Sequence, residues 1–195
     1  MRFSYLACPS ERVGLFFTSA AAIRKSVFFK VGGFDENYQG ASITEDTDFG
    51  QRVWQKGFLI RIDPQLSVSH HKHYSIKGLL HTDFQRAQAL THMRLRKSGQ
   101  KFFSSVPVSY QLSVPILGLA MVTLLLAFFC SEFLWGAVAL SALFYLLVAP
   151  WLRFLFQTRG VGFGMTATFF QPLDTFVVGL GMAWACLRHL AGKRF

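Results

Sequence analysis

Acidic residues are scarce: among 195 residues there are ten Asp+Glu against twenty Lys+Arg, and only 15% of positions are charged. Cysteine is scarcer. Cys8, Cys130 and Cys186 lie far apart, which excludes a disulfide framework and a paired zinc spacing. A secretory signal is also missing, because the apolar stretch 13–23 is short, interrupted by Thr18 and Ser19, and leads into Arg24-Lys25. There is no zinc-finger spacing, no aromatic-basic motif of an RNA-binding sheet and no basic heptad helix. Nucleic acid is therefore set aside as the partner of the +10 net charge. Basic residues beside apolar runs follow instead from the positive-inside rule and attraction to anionic lipid.

What the chain does contain is apolar: 52% of residues are hydrophobic, and Phe alone contributes 22. Most of the charge precedes Pro107, so the sequence divides into a water-facing part, 1–104, and a membrane part, 105–195. The stretch 108–130 has no charged residue, which meets the roughly 20 residues needed to cross a hydrocarbon core. Pro115 permits a kink in it. Ser131-Glu132 makes a tight turn into a second span, 133–152, closed by Arg153, and the two should form a helical hairpin. The third stretch, 169–187, holds Pro172 and Asp174 and ends in Arg188, His189, Lys193 and Arg194. Full crossing would put that basic tail opposite the water-facing part; a re-entrant or interfacial course would keep every basic cluster on one side. Both courses stay open. Asp174 either faces other helices and a polar cavity or reaches water at the interface.

In the water-facing part, 14–24 reads as a strand and a small-residue turn, and 25–31 as a short helix stopped by Gly32-Gly33. A helix is predicted over 45–56: Thr44 is a good N-cap, Glu45, Asp46 and Asp48 fill the first turn, and Lys56-Gly57 supplies the stop. Asp46, Phe49 or Gly50, and Val53 share one face, while Asp48 and Arg52 can pair on another. The plain reading of the three acids is that they complement the helix dipole. Segments 58–63 and 66–70 read as strands, the second with Leu66, Val68 and His70 on one face. The cluster His70-His71-x-His73 has a chemistry that suits several divalent metals, but no carboxylate follows at ligand spacing. Residues 76–98 make a basic amphipathic helix, with Leu79, Leu80, Phe84, Ala87, Leu90 and Met93 in one stripe and Arg86 and Arg94 among its cations. Such a helix suits a membrane interface, an anionic phosphate or an ordinary solvated surface.

Taken in order, Gly32-Gly33-Phe34-Asp35-Glu36, Thr44-Glu45-Asp46-Thr47-Asp48-Phe49-Gly50, Val68-x-His70 and Asp83-Phe84-x-Arg86-Ala87 resemble family-2 inverting glycosyltransferases with C-terminal membrane helices. The resemblance covers nearly the whole chain. It implies an α/β fold, the C-terminal half of a GT-A-type nucleotide-diphospho-sugar transferase domain, followed by two or three membrane helices. It also implies that Asp46 acts as general base on the acceptor hydroxyl, with Glu45 and Asp48 positioning the acceptor or the base. His70 is offered as a metal or diphosphate contact, and Arg86 as a diphosphate contact. The implied cofactor is a divalent metal, Mg or Mn, held mostly by an Asp-x-Asp motif that the family places upstream; no such motif precedes Asp46-Thr47-Asp48 here.

The expected reaction is transfer of a sugar from a nucleotide sugar to a lipid-linked or glycan acceptor, with inversion, at the cytoplasmic membrane face. Such chemistry belongs to the biosynthesis of envelope polysaccharide or glycolipid. The processive family members carry Gln-x-x-Arg-Trp; Phe84-Gln85-Arg86-Ala87 has neither that spacing nor the Trp, which favours transfer of a single sugar. This stretch alone is expected to be inactive, with a partner chain or a longer gene supplying the nucleotide-binding half. Two rivals are a non-catalytic membrane subunit that binds a separate transferase half, and a small metal-handling membrane protein using the histidines and Asp174.

Overall fold

The computed structural model describes residues 13–36, 44–62, 68, 71, 73–96, 100–104 and 106–192. Within them lie helices α1 (Lys25–Val31), α2 (Glu45–Gln55), α3 (Ile76–Arg96), α4 (Val108–Leu126), α5 (Phe133–Arg159) and α6 (Val161–Leu190).

Every regular element among the described residues is a helix, which overturns the α/β half-domain expectation. Segments 13–17 and 58–62 form no strand, and most of 66–70 lies outside the described residues. The reason is that a strand exists only as one rail of a ladder. Here a side chain does the pairing: Gln51 Nε2 donates to the carbonyls of Gly14 (3.1 Å) and Phe103 (2.8 Å), and its Oε1 accepts the Phe103 N–H at 2.8 Å. Gln51 is fully buried, so its amide satisfies backbone groups that would otherwise carry a desolvation penalty.

The α2 core follows the predicted stripe. Phe49 and Val53 are buried against Val31, with Phe16, Phe28 and Phe58 packed around them. Phe34 lies on Phe49 at 4.8 Å between ring centroids. It is brought there by two successive left-handed glycines, Gly32 (φ 96) and Gly33 (φ 64), which end α1. Arg52 and Lys56 reach the last carbonyls of α1, on Val31 (3.2 Å) and Lys30 (2.6 Å), where cations complement a helix C-terminus. Thr44 takes the predicted N-cap position, but its hydroxyl makes no capping bond.

Gly50 is where α2 meets the segment before α1. A Cβ there would stand 2.7 Å from the Phe16 nitrogen and 2.8 Å from the Gly14 oxygen, both backbone atoms that no rotamer change removes. Gly50→Ala is therefore expected to destabilise the water-facing part by about 1–3 kcal/mol, the usual range for overpacking. Thermal unfolding of the detergent-solubilised protein should show a lowered midpoint; an unchanged midpoint would contradict the close approach.

In the membrane part, α4, α5 and α6 are each long and apolar enough to cross a bilayer, at 19, 27 and 30 residues. α4 and α5 form the predicted hairpin, with Leu117, Phe144, Val148 and Leu152 as its shared core. Their exposed apolar faces fit an integral membrane protein. α5 runs seven residues past the sequence boundary at Leu152, and Gly160 (φ 84) turns it directly into α6. α3 lies along α6, and at Gly181 the two backbones come so close that a Cβ would stand 2.5 Å from the Phe84 carbonyl oxygen. Because α3 carries Lys77, Asp83, Arg86, Arg94 and Arg96, it does not cross: each charge at a bilayer centre costs about 2.5–3.5 kcal/mol.

Candidate functional site

Two groups of polar side chains meet near the junction of the two parts. The first is the start of α2. Asp46 is half-buried, and its Oδ1 accepts a hydrogen bond from Thr47 Oγ1 at 3.3 Å. Its carboxyl is pushed above the usual aspartate range, chiefly by burial and further by the adjacent Glu45; the Thr47 N–H and hydroxyl and the Arg86 guanidinium oppose the rise. Arg86 comes from α3, and its effect on Asp46 is the smallest of these influences. Glu45 Oε2 is buried and has no hydrogen-bond partner among the described residues.

Asp48 stands apart from this pair. Fully buried, its Oδ2 accepts from Arg52 Nε at 2.8 Å, and Arg52 also holds the end of α1. The predicted i, i+4 pair is present, and it fixes the orientation of α2 rather than lying on an exposed face.

The second group lies on α3, α4 and α6. Arg86 stands 3.8 Å from Asp83, whose carboxyl is raised by burial against the opposing pull of Arg86. Asp83 faces Asp174. Tyr110 donates its hydroxyl proton to Asp174 Oδ2 at 3.3 Å, and Gln171 Nε2 bridges Tyr110 Oη (3.4 Å) and Thr175 Oγ1 (3.1 Å). A cavity of about 280 Å³ opens beside this group, with Arg86, Arg94, Tyr110 and Gln111 on its polar side and Val114 and Met182 on its apolar side. A second cavity, of about 730 Å³, touches the same Asp83 and Asp174 but is walled mostly by apolar and aromatic residues such as Trp151, Phe154 and Phe170.

Of the sequence-predicted residues, Glu45 and Asp46 open α2, Asp48 pairs with Arg52, and Arg86 of α3 pairs with Asp83 while exerting a weak pull on the Asp46 carboxyl. His70 lies outside the described residues, and His71 and His73 are exposed. Among the described residues no three His, Cys, Asp or Glu converge as a metal site, so these side chains do not fit a divalent cation by themselves. Asp174 takes the helix-facing course of its two alternatives. Tyr110 and Gln171 were not singled out from the sequence. A signal for Gln171 was there, since Gln171, Asp174 and Thr175 fall at i, i+3 and i+4 and make one polar face on an apolar helix.

No family model and no solved structure matches the chain. Over 68 residues it is 44% identical to N-acetylglucosaminyl-diphospho-decaprenol L-rhamnosyltransferase of Mycobacterium tuberculosis, in strains CDC 1551 / Oshkosh and ATCC 25618 / H37Rv. That stretch is 34% of this chain and 22% of the relative, so the chain spans about a fifth of the length of the curated proteins it matches. Over that stretch it is similar to a glycosyltransferase.

Proposed function

We propose that the chain is part of a membrane-bound, inverting glycosyltransferase that moves one sugar from a nucleotide sugar to a lipid-linked acceptor. The observation that carries the proposal is the half-buried Asp46 at the start of α2, its carboxyl raised chiefly by burial, in a chain with three helices apolar enough to cross a membrane. The partial identity to a transferase acting on a decaprenol-linked sugar supports the acceptor class.

In this reading Asp46 takes the proton from the acceptor hydroxyl as its oxygen forms a bond to the anomeric carbon. The bond to the departing nucleoside diphosphate breaks on the opposite face. A carboxylate held above its usual range by burial is a stronger base than a solvated one. Glu45 Oε2, buried without a partner among the described residues, is available to accept a second acceptor hydroxyl and orient it. Asp48 positions the base by holding α2 on α1. Arg86 faces the leaving diphosphate and stabilises its charge. A divalent metal, Mg or Mn, belongs to this proposal only through ligands outside the described residues, and no step is routed through it. In this reading the site faces the cytoplasm, where nucleotide sugars are made.

The test is a transfer reaction by native membranes containing the protein, with the anomeric configuration of the lipid product determined by NMR. Label in lipid with inverted configuration supports the proposal; retained configuration would sink the single-displacement mechanism. A non-catalytic subunit would give no transfer unless a second chain is present.

Arg86 also sets an expected pH response. Only the ionised Asp46 can act as base, so activity falls as pH drops through its folded pKa, and the raised value places that fall at higher pH than for a free aspartate. Arg86→Gln removes an influence that lowers this pKa. The acid limb of kcat/KM is therefore expected to move to higher pH, and a shift to lower pH would refute the coupling.

A further inference from the structure

Both ends of the third apolar helix lie beside elements at one end of the α4–α5 hairpin. α5 returns across the bilayer to the face where α4 begins, and the Gly160 turn starts α6 there. At the other end of α6, the His189 ring lies 6.3 Å from His92 of α3. Two residues further along α3, Arg94 donates to Ser104 Oγ at 3.2 Å, and Gln111 in the first turn of α4 donates to the same oxygen at 3.3 Å. The end of α6 is thus tied through α3 to the entrance of α4.

The contacts between these ends agree. Asp174 meets Tyr110, and Gly179 meets Val114, so α6 touches α4 within the first two turns of α4. α3 runs along the second half of α6, with Asp83 by Asp174, Phe84 on Gly181 and His92 by His189. A spanning α6 would drag this charged helix through the hydrocarbon core, where ionised side chains are strongly disfavoured.

We propose that α3 and α6 form a surface pair lying in the near leaflet, and that the chain crosses the bilayer only with α4 and α5. The partner of this surface is lipid. Phe169, Leu173, Phe176, Leu180, Trp184 and Leu187 are exposed at helical spacing along α6, on a face separate from the one that Gly181 presents to α3. That stripe sits in the acyl chains, continuous with the lipid-facing sides of α4 and α5, while Arg86, Arg94 and Arg188 stay among the headgroups. At the hairpin tip, Phe128, Phe129 and Trp135 are 84%, 90% and 79% exposed and mark the opposite interface.

The test uses single-cysteine variants of the protein in sealed membrane vesicles of both orientations, treated with a membrane-impermeant maleimide. The reporters are native Cys130 at the hairpin tip, Lys101→Cys in the water-facing part, and Ala191→Cys at the end of α6. Lys101→Cys and Ala191→Cys are expected to label from the same side, on the order of tenfold faster than from the other, and Cys130 from the opposite side. Labelling of Ala191→Cys from the Cys130 side would overturn the proposal and make α6 a third span. This outcome is independent of whether the protein transfers a sugar.

Discussion

Replacing Asp46 by Asn is expected to abolish sugar transfer while leaving the fold and donor binding intact. Asparagine keeps the shape of the side chain, and its carbonyl oxygen can still accept the Thr47 hydroxyl that now bonds Asp46 Oδ1. What it loses is the ability to take a proton. Loss of a positioned general base typically costs about 10²- to 10⁴-fold in rate, so turnover should fall to the limit of a membrane assay. Donor binding, followed by calorimetry or by protection from proteolysis, should be unchanged, since Asp46 faces the acceptor in this account. Wild-type turnover in the Asn variant would refute the assignment of the base. A loss of donor binding equal to the loss of rate would move Asp46 from base to donor contact.

The second large effect is expected at Gly181, far from Asp46 in sequence. A Cβ at this position would stand 2.5 Å from the Phe84 carbonyl oxygen and 3.0 Å from the Ala87 Cβ. The obstacle is backbone, so Gly181→Leu forces α3 away from α6. Overpacking of this kind costs about 1–3 kcal/mol and sometimes more, and here the displaced helix carries Arg86. Transfer should fall together with thermal stability, and the acid limb of the pH profile should move as it does in Arg86→Gln. Gly118→Ala is the control, because a Cβ there meets nothing within 4 Å. Equal effects at Gly181 and Gly118 would mean that helix propensity, not the α3–α6 contact, decides the outcome.

The helical elements were legible because their signals are local. Three acids, a 3.6-residue apolar period and a Lys-Gly stop placed α2 within one residue, and two long uncharged runs joined by Ser131-Glu132 placed the hairpin. Asp174 drew attention because one ionisable residue in an apolar run is costly unless something compensates it. The strands failed for the opposite reason. Alternating residues in 58–63 state a preference, but a ladder needs a partner, and around 14–17 the buried amide of Gln51 takes that role instead. Nothing in the spacing of Gln51, Gly14 and Phe103 announces that three distant segments share one side chain. The meeting of Tyr110, Gln171 and Asp174 depends likewise on how α4 and α6 cross, which periodicity does not encode. Hydropathy alone left the course of α6 open, and the packing of the charged α3 against it, on which the surface-pair proposal rests, is a tertiary contact that periodicity does not encode.

The central claim is that Asp46 is the base for transfer of a sugar to lipid at this membrane face. Its most direct test is the formation of labelled lipid. Native membranes carrying the wild-type protein or the Asp46→Asn variant at equal abundance are supplied with a panel of radiolabelled nucleotide sugars, and the organic-solvent extract is counted. The account predicts label from one donor with the wild-type protein and background counts with the variant. Equal label from both proteins, or none from any donor with the wild type, would contradict it.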